Sequence, residues 1–267
     1  MSRAKTELEN YLVYGIDELN RKIYFGTHLL SSDSEDVGDV TQNSVEFAIR
    51  AIERMSQDRP KTPIEIHMNS YGGDIYPMLA LYDVIQNSSC QIKFYGKGAI
   101  MSAATIIMCG CDERYLYPNS RVMIHAVSTE MSGTMLDTKI NIEESGYQQE
   151  KMEQIFEDNS RMPKNFWHEA CKRDLFLSAE ECVQLGLADR IVHPKKRGTL
   201  RKIRQHHLTQ QVDQKKLTRL ADRLLGRIGA APKKMEIVIR EVKPEPEDDR
   251  LVIEPLDTNN TGDTSND

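Results

Sequence analysis
The sequence lacks the features that would mark a membrane or secreted protein. No run of about 18 consecutive apolar residues occurs, so no membrane-spanning helix is expected. The opening segment MSRAKTELENYLVYG holds no apolar stretch of signal-peptide length, which leads to the expectation of a soluble cytoplasmic protein. Cysteine is sparse and odd in number. Cys90, Cys109, Cys111, Cys171 and Cys182 sit at scattered spacings that suit a reducing compartment better than a disulfide framework. Cys109 and Cys111 form one C-x-C pair with neither a second pair nor a nearby His, so they read as core residues and not as zinc ligands. The net charge of −6 gives no overall attraction to nucleic acid. No metal, cofactor, membrane or nucleic acid is expected as a partner.

What is present is the composition of an ordinary globular protein, 39% hydrophobic and 28% charged, with length enough for one sizeable core plus appendages. Residues 1–20 are mixed in character and read as a mobile N-terminal arm. Residues 22–25 read as a first strand ended by Gly26, and residues 31–39 as an acidic surface loop. Val45, Ala48, Ile49, Ile52 and Met55 recur at helical spacing. Pro60 and Pro63 break the chain before an alternating strand, 64–68, that enters the turn Asn69-Ser-Tyr-Gly-Gly-Asp74. Met78, Leu81, Tyr82 and Ile85 mark another amphipathic helix. Residues 91–95 form the next strand, Gly96 and Gly98 sharpen the turn after it, and 103–108 is a buried helix. Strands alternating with helices imply an α/β architecture.

Beyond these lie two short strands, 114–117 and 121–124, and a long exposed helix, 137–159, that could pack on another subunit. A helix after Pro163 follows. Ser178 and Glu181 form a capping box opening a helix that Gly186 ends, and Ile191-Val192 is a last strand. The composition then changes. Residues 195–234 carry thirteen Lys or Arg against two Asp, and residues 235–267 ten acidic residues against three basic. The expected organisation is an arm (1–20), a core domain (21–194), a basic, partly helical extension (195–234) and an acidic, largely disordered tail (235–267). The extension, with a helix over 217–228 and two brief β-prone pieces in the tail, reads as a tethered appendage.

Chemistry concentrates at Ser102, where a strand turns into a buried helix whose N–H groups and positive end face the hydroxyl. By itself such a Ser is commonly an N-cap. A nucleophilic Ser needs a base, and the base an orienting acid. His125 at a strand end and Asp174 before an apolar run are candidates, each also readable as structural. Acyl transfer further needs preorganised N–H donors, each worth about 3 kcal/mol of barrier. The Gly72-Gly73 turn can supply one and the helix start at Ala103 another, although the same turn is readable as a tight strand-to-helix connection. The order Ser, His, Asp matches none of the orders in chymotrypsin, subtilisin or the α/β-hydrolases.

Four runs in one order carry a resemblance: N-S-Y-G-G at 69–73, G-A-I-M-S-A-A at 98–104, P-N-S-R-V-M-I-H at 118–125, and R-D-L-F-L-S-A-E-E at 173–181 followed by G-L-A-D at 186–189. Together they resemble the Clp protease proteolytic subunit family over roughly residues 22–193. The resemblance implies a crotonase-like α/β subunit of repeated strand-strand-helix units with a protruding long-helix handle. It implies a serine endopeptidase with Ser102 as nucleophile, His125 as general base and acid, and Asp174 as orienting carboxylate. Gly73 and Ala103 match the oxyanion donors. Heptameric rings, possible stacking into a tetradecamer, polypeptide substrates and a partner AAA+ Clp ATPase are implied likewise, with Asp137 and Arg173 matching positions that join two rings.

This chain departs from the family in several places. Tyr71 stands in place of Pro, Ile100-Met101 precede Ser102 with Ala103-Ala104 after it, Ala126-Val127 replace Gln-Pro, and the glycine-rich stretch is reduced to Gly133. Divergent relatives of this kind are often phage-encoded, some acting in head maturation, and the C-terminal extension suits such a dedicated role. Two other readings stay open: a non-catalytic ring subunit, and an acyl-CoA enzyme of crotonase fold, which uses a Gly-Gly oxyanion turn but needs no Ser, His, Asp triad.

Overall fold
The computed structural model describes residues 3–26, 40–129, 132–192 and 214–227. The elements are α1 (Arg3–Tyr14), β1 (Ile16–Asp17), β2 (Lys22–Phe25), α2 (Gln42–Asp58), β3 (Ile64–Ser70), α3 (Ile75–Gln86), β4 (Ile92–Met101) and α4 (Ala103–Gly110). They continue with β5 (Glu113–Leu116), β6 (Arg121–Ile124), α5 (Met135–Asp158), α6 (Lys164–Ala170), β7 (Leu175–Ser178), α7 (Ala179–Leu185), β8 (Arg190–Ile191) and α8 (Gln214–Arg227).

The sheet runs β1-β2-β3-β4-β5-β8, parallel from β2 onward, and β6 and β7 branch from it. Central strands buried on both faces read as apolar runs, and Ile64, Ile66, Ile92 and Phe94 are fully enclosed. On the opposite face Tyr24, His67, Tyr95 and Tyr115 stack ring on ring across four strands, with centroids 4.8 to 5.0 Å apart. Such cross-strand pairs help fix the register. Strand β4 changes neighbour midway: residues 93–96 pair with β5, and residues 99–101 pair with β6. Gly98, at φ 64°, makes the kink, and the Ala99 N–H beyond it donates to Asn69 Oδ1 at 2.9 Å. Gly96 and Gly98 therefore lie inside a continuous strand at a bulge, where the sequence suggested the turn itself. The turn comes at Ser102.

Two other expectations need correction. The N-terminal segment is α1 and β1, not a mobile arm: Tyr11 meets Tyr24 edge to face, Tyr14 packs on Phe47 of α2, and β1 pairs antiparallel with β2. The cause is a set of aromatic side chains too few to show a period in the sequence. The 217–228 helix is α8, and it is not a tethered appendage. Leu217, Leu220, Ala221, Leu224 and Leu225 are buried and join the main core, with α8 lying on α6. The acidic loop at 31–39 and the β-prone pieces after residue 234 lie outside the described residues. All five cysteines are free and buried.

Two buried features hold the frame. Arg21, itself at φ 55°, is only 3% exposed and donates to the carbonyls of Met55, Thr62 and Pro63 at 2.9, 2.8 and 3.2 Å. Its cation thus satisfies the carbonyl end of α2, where the helix dipole is negative. Trp167 is enclosed between Phe156 and Phe166, and its indole N–H donates to Ser160 Oγ at 2.9 Å, so α6 is locked onto α5. Helix α5 opens with a capping box of Thr134 and Asp137, and its first half projects Met135, Leu136, Ile140, Ile142 and Tyr147 into solvent.

Candidate active site
Ser102 sits between β4 and α4 at φ 51° and ψ −123°, a conformation that a side chain rarely adopts. The chain is held there from both sides. The Ser102 N–H donates to Met123 O of β6 at 2.9 Å, and the Ser102 carbonyl accepts from Thr105 N–H at 2.9 Å and Thr105 Oγ1 at 2.6 Å. Helix α4 behind it, AATIIMCG, is buried throughout, so it cannot shift without opening the core. The hydroxyl is left half-buried at the helix mouth.

The Gly-Gly turn lies directly against it. A Cβ on Gly72 would come within 2.7 Å of the Ser102 Cβ and 3.0 Å of the Ala103 nitrogen, and Gly72 has φ 110°. Only glycine permits that approach. Gly73 is pinned by a parallel bridge to Val40, in which Val40 N–H donates to Gly72 O and Asp74 N–H to Val40 O. That pattern leaves the Gly73 N–H unused, and among the described residues no acceptor takes it. The Ala103 N–H, first in its helix, has no intrahelical partner. Gly73, Ala103, Ser102 and His125 all line one cavity of about 80 Å³, whose apolar wall is Ile75 and Met78 of α3 with Met152 of α5.

His125 follows β6 immediately, and its Nε2 lies 2.9 Å from Ser102 Oγ. The short segment after it is tied to α5, because Val127 N–H donates to Gln149 Oε1 at 2.8 Å and Gln149 Nε2 donates to the buried Glu153 at 2.8 Å. Asp174 is placed differently. Strands β6 and β7 pair antiparallel down to Ile124 opposite Leu175, so the next position sets His125 across from Asp174. Among the described residues, however, no hydrogen bond joins the two side chains, and Asp174 is exposed on a separate, open cavity with Arg121 and Arg227. The structure thus brings Ser102, His125, Gly73 and Ala103 together, with Asp174 adjacent in register but unbonded.

Asp137 and Arg173 are both exposed, Arg173 directly preceding Asp174; the Thr134 hydroxyl and then the Thr134 N–H donate to Asp137 and hold its carboxyl below the usual carboxylate range. Sequence reasoning passed over the cavity wall of Ile75, Met78, Gln148 and Met152. A usable signal was present, since Ile75 and Met78 directly follow the Gly-Gly turn and Gln148 and Met152 are spaced i, i+4. It also missed α8. Tyr71, which replaces Pro in the turn, points into solvent at 73% exposure and so leaves the Gly72–Ser102 contact intact. Among the described residues no cluster of His, Cys, Asp and Glu is arranged to hold a metal, and no helix is long and apolar enough to cross a membrane.

Residues 35–195 match the Clp protease family. The chain is 30% identical over 144 residues to the ATP-dependent Clp protease proteolytic subunit of Bdellovibrio bacteriovorus, covering 52% of this chain and 68% of that protein. It is 33% identical over 144 residues to the ATP-dependent Clp protease proteolytic subunit 2 of Chlamydia abortus, covering 53% and 70%. It is 34% identical over 140 residues to the subunit 2 protein of Chlamydia pneumoniae, covering 52% and 68%. Helix α8 lies beyond the matched residues.

Proposed function
This chain belongs to the Clp protease family, and we propose that it is a catalytically active serine endopeptidase subunit acting on unfolded or threaded polypeptide. The observation that carries the reading is the 2.9 Å approach of His125 Nε2 to Ser102 Oγ at a backbone held in a strained conformation. His125 accepts the Ser102 proton as Oγ attacks the scissile carbonyl carbon. The carbonyl oxygen, now negative, receives the Gly73 and Ala103 N–H groups, aided by the positive end of α4. His125 then returns the proton to the departing amine, which leaves an acyl-enzyme on Ser102. Water activated by the same imidazole releases the acid. Asp174 orients the imidazole once its carboxylate reaches the ring. The apolar wall of Ile75, Met78 and Met152 suits a small apolar side chain next to the cleaved bond.

The ATP-dependence of the relatives supports an ATPase partner, and their family supports ring assembly into heptamers or a tetradecamer in the cytoplasm. The exposed apolar half of α5 suits a subunit contact. The peptidase unit proposed at 21–194 is extended by β1 before it and α8 behind it, which share its core. An assay that offers the purified chain an unfolded protein, a short peptide and an acyl-CoA thioester tests it. Cleavage of the peptide bond, absent in Ser102→Ala, is expected; thioester turnover without proteolysis would move the chain to crotonase-type chemistry, and no turnover of any substrate by assembled rings to a scaffold role.

A further inference from the structure
The cavity beside Ser102 lies where a substrate places the side chain before the cleaved bond, because that side chain is carried on the carbon next to the carbonyl that Ser102 attacks. Ile75, Met78 and Met152 ask only that its stem be small and apolar. The fourth wall residue asks for more. Gln148 of α5 is only 9% exposed, and an amide enclosed by an apolar wall is costly unless its polar atoms find partners.

Hydrogen bonds fix which way this amide faces. Gln148 Nε2 donates to Glu144 Oε1 at 3.3 Å, one turn earlier on α5, and the Tyr76 hydroxyl at the start of α3 donates to the same oxygen at 2.8 Å. Tyr76 and Glu144 thus tie together the two helices that supply the wall. A carboxylate only accepts, so the Gln148 nitrogen is the atom on the Glu144 side and the carbonyl oxygen the atom turned away from it. Among the described residues no donor reaches Gln148 Oε1, yet the one enclosed side-chain polar atom without a partner is His67 Nδ1. Gln148 Oε1 is therefore unpaired but open to free space, and the space that Gln148 borders is the cavity of Ser102. Donation by the amide to a carboxylate polarises it and makes that carbonyl a stronger acceptor.

We propose that Gln148 is a specificity-determining residue: its Oε1 selects substrates whose side chain before the cleaved bond has a short apolar stem and a hydrogen-bond donor at the tip. Asn and Gln are favoured over Leu and Met of similar shape. The proposal rests on the reading of Ser102 and His125 as a peptidase site. A Leu in the cavity leaves the amide oxygen dry and unpaired, whereas an Asn gives it an N–H. An Asp carboxylate meets the same oxygen with no proton to offer and with Glu144 behind it, and is turned away.

The test uses peptides that differ only at that position, which holds Asn, Leu or Asp. Wild-type kcat/KM is expected to be about three- to tenfold higher for Asn than for Leu, the worth of one net hydrogen bond, and lowest for Asp. Gln148→Leu is expected to reverse the order of Asn and Leu, whereas loss of a merely structural residue would lower both together. Binding of the same peptides is titrated separately on Ser102→Ala, with Gln148 present or replaced by Leu, and Kd is expected to follow the same order. Leu cleaved as fast as Asn by wild type, or an unchanged Asn-to-Leu ratio in Gln148→Leu, overturns the proposal and leaves the peptidase reading standing. If wild type cleaves none of the peptides while Ser102→Ala prefers Asn through Gln148, the selective pocket stands and the peptidase reading falls. No cleavage together with no such preference in binding overturns both.

Discussion
The Ser102–His125 half of the site and the Asp174 half are built on different foundations. Ser102 is clamped between a central parallel strand and a helix buried along its whole length, and Gly72 rests on its Cβ. His125 follows a strand whose backbone holds Ser102 through Met123 O. Asp174 instead leads a four-residue strand paired on one side only, exposed to solvent and bordered by an appended helix. The difference teaches that core packing fixes Ser102 and His125, the proposed nucleophile and base, whereas Asp174, the proposed acid, is set by whatever neighbours the edge ribbon has. Local stability is lowest where buried contacts are fewest, and elements that switch are drawn from there.

The comparison is broken most severely by removing the first half. Ser102→Ala or His125→Ala is expected to lower kcat by about a millionfold, the loss typical when a nucleophile or its base is deleted. Circular dichroism and assembly state should stay unchanged. Next comes Gly72→Ala, which puts a Cβ 2.7 Å from the Ser102 Cβ at a φ of 110°. Displacing Ser102 from its donors should reduce kcat about a hundredfold or more, with a lower melting temperature. Asp174→Asn sharpens the contrast. In a closed triad this change costs about 10,000-fold, but about 10- to 100-fold is expected where Asp174 is exposed and, among the described residues, not hydrogen-bonded to His125. A loss equal to that of His125→Ala would mean that the acid is as firmly built in as the base.

The smallest effect concerns the dry scaffold behind Ser102. Burial pushes the Cys109 thiol of α4 and the Cys171 thiol up to about 12 from 9.0, and the Tyr95 hydroxyl from 10.0 to about 12. A raised folded-state value means that the unfolded chain loses its proton first. The stability these groups carry is therefore whole below pH 9 and lost as pH rises toward 12. Thermal melts from pH 8 to 11 should show a falling midpoint, and iodoacetamide at pH 8 should leave Cys109 unmodified until the protein unfolds.

Much of this was legible in the sequence, because the physics involved is local or periodic. Helices α2 and α3 announced themselves by apolar spacing, α7 by its Ser178–Glu181 box and Gly186 stop, and Ser102 by its place between a strand and an apolar helix. Three features were not. The kinked continuation of β4 depends on Asn69 reaching Ala99 from another strand. The order in α1 depends on two tyrosines meeting Tyr24 and Phe47 far along the chain. The docking of α8 depends on another element: its leucines show helical spacing, but its basic surface reads as a solvated face until Glu181 is seen beneath Arg223 and Arg227. Each is a long-range contact, which no window of sequence contains.

The most direct measurement is covalent labelling of Ser102 in the folded, assembled protein by a fluorophosphonate or β-lactone, read by intact mass and peptide mapping. The expected result is one adduct per chain on Ser102, absent in Ser102→Ala and strongly slowed in His125→Ala. An assembled wild-type protein that takes up no label at Ser102, or labels no faster than its His125→Ala variant, would contradict a nucleophile activated by His125.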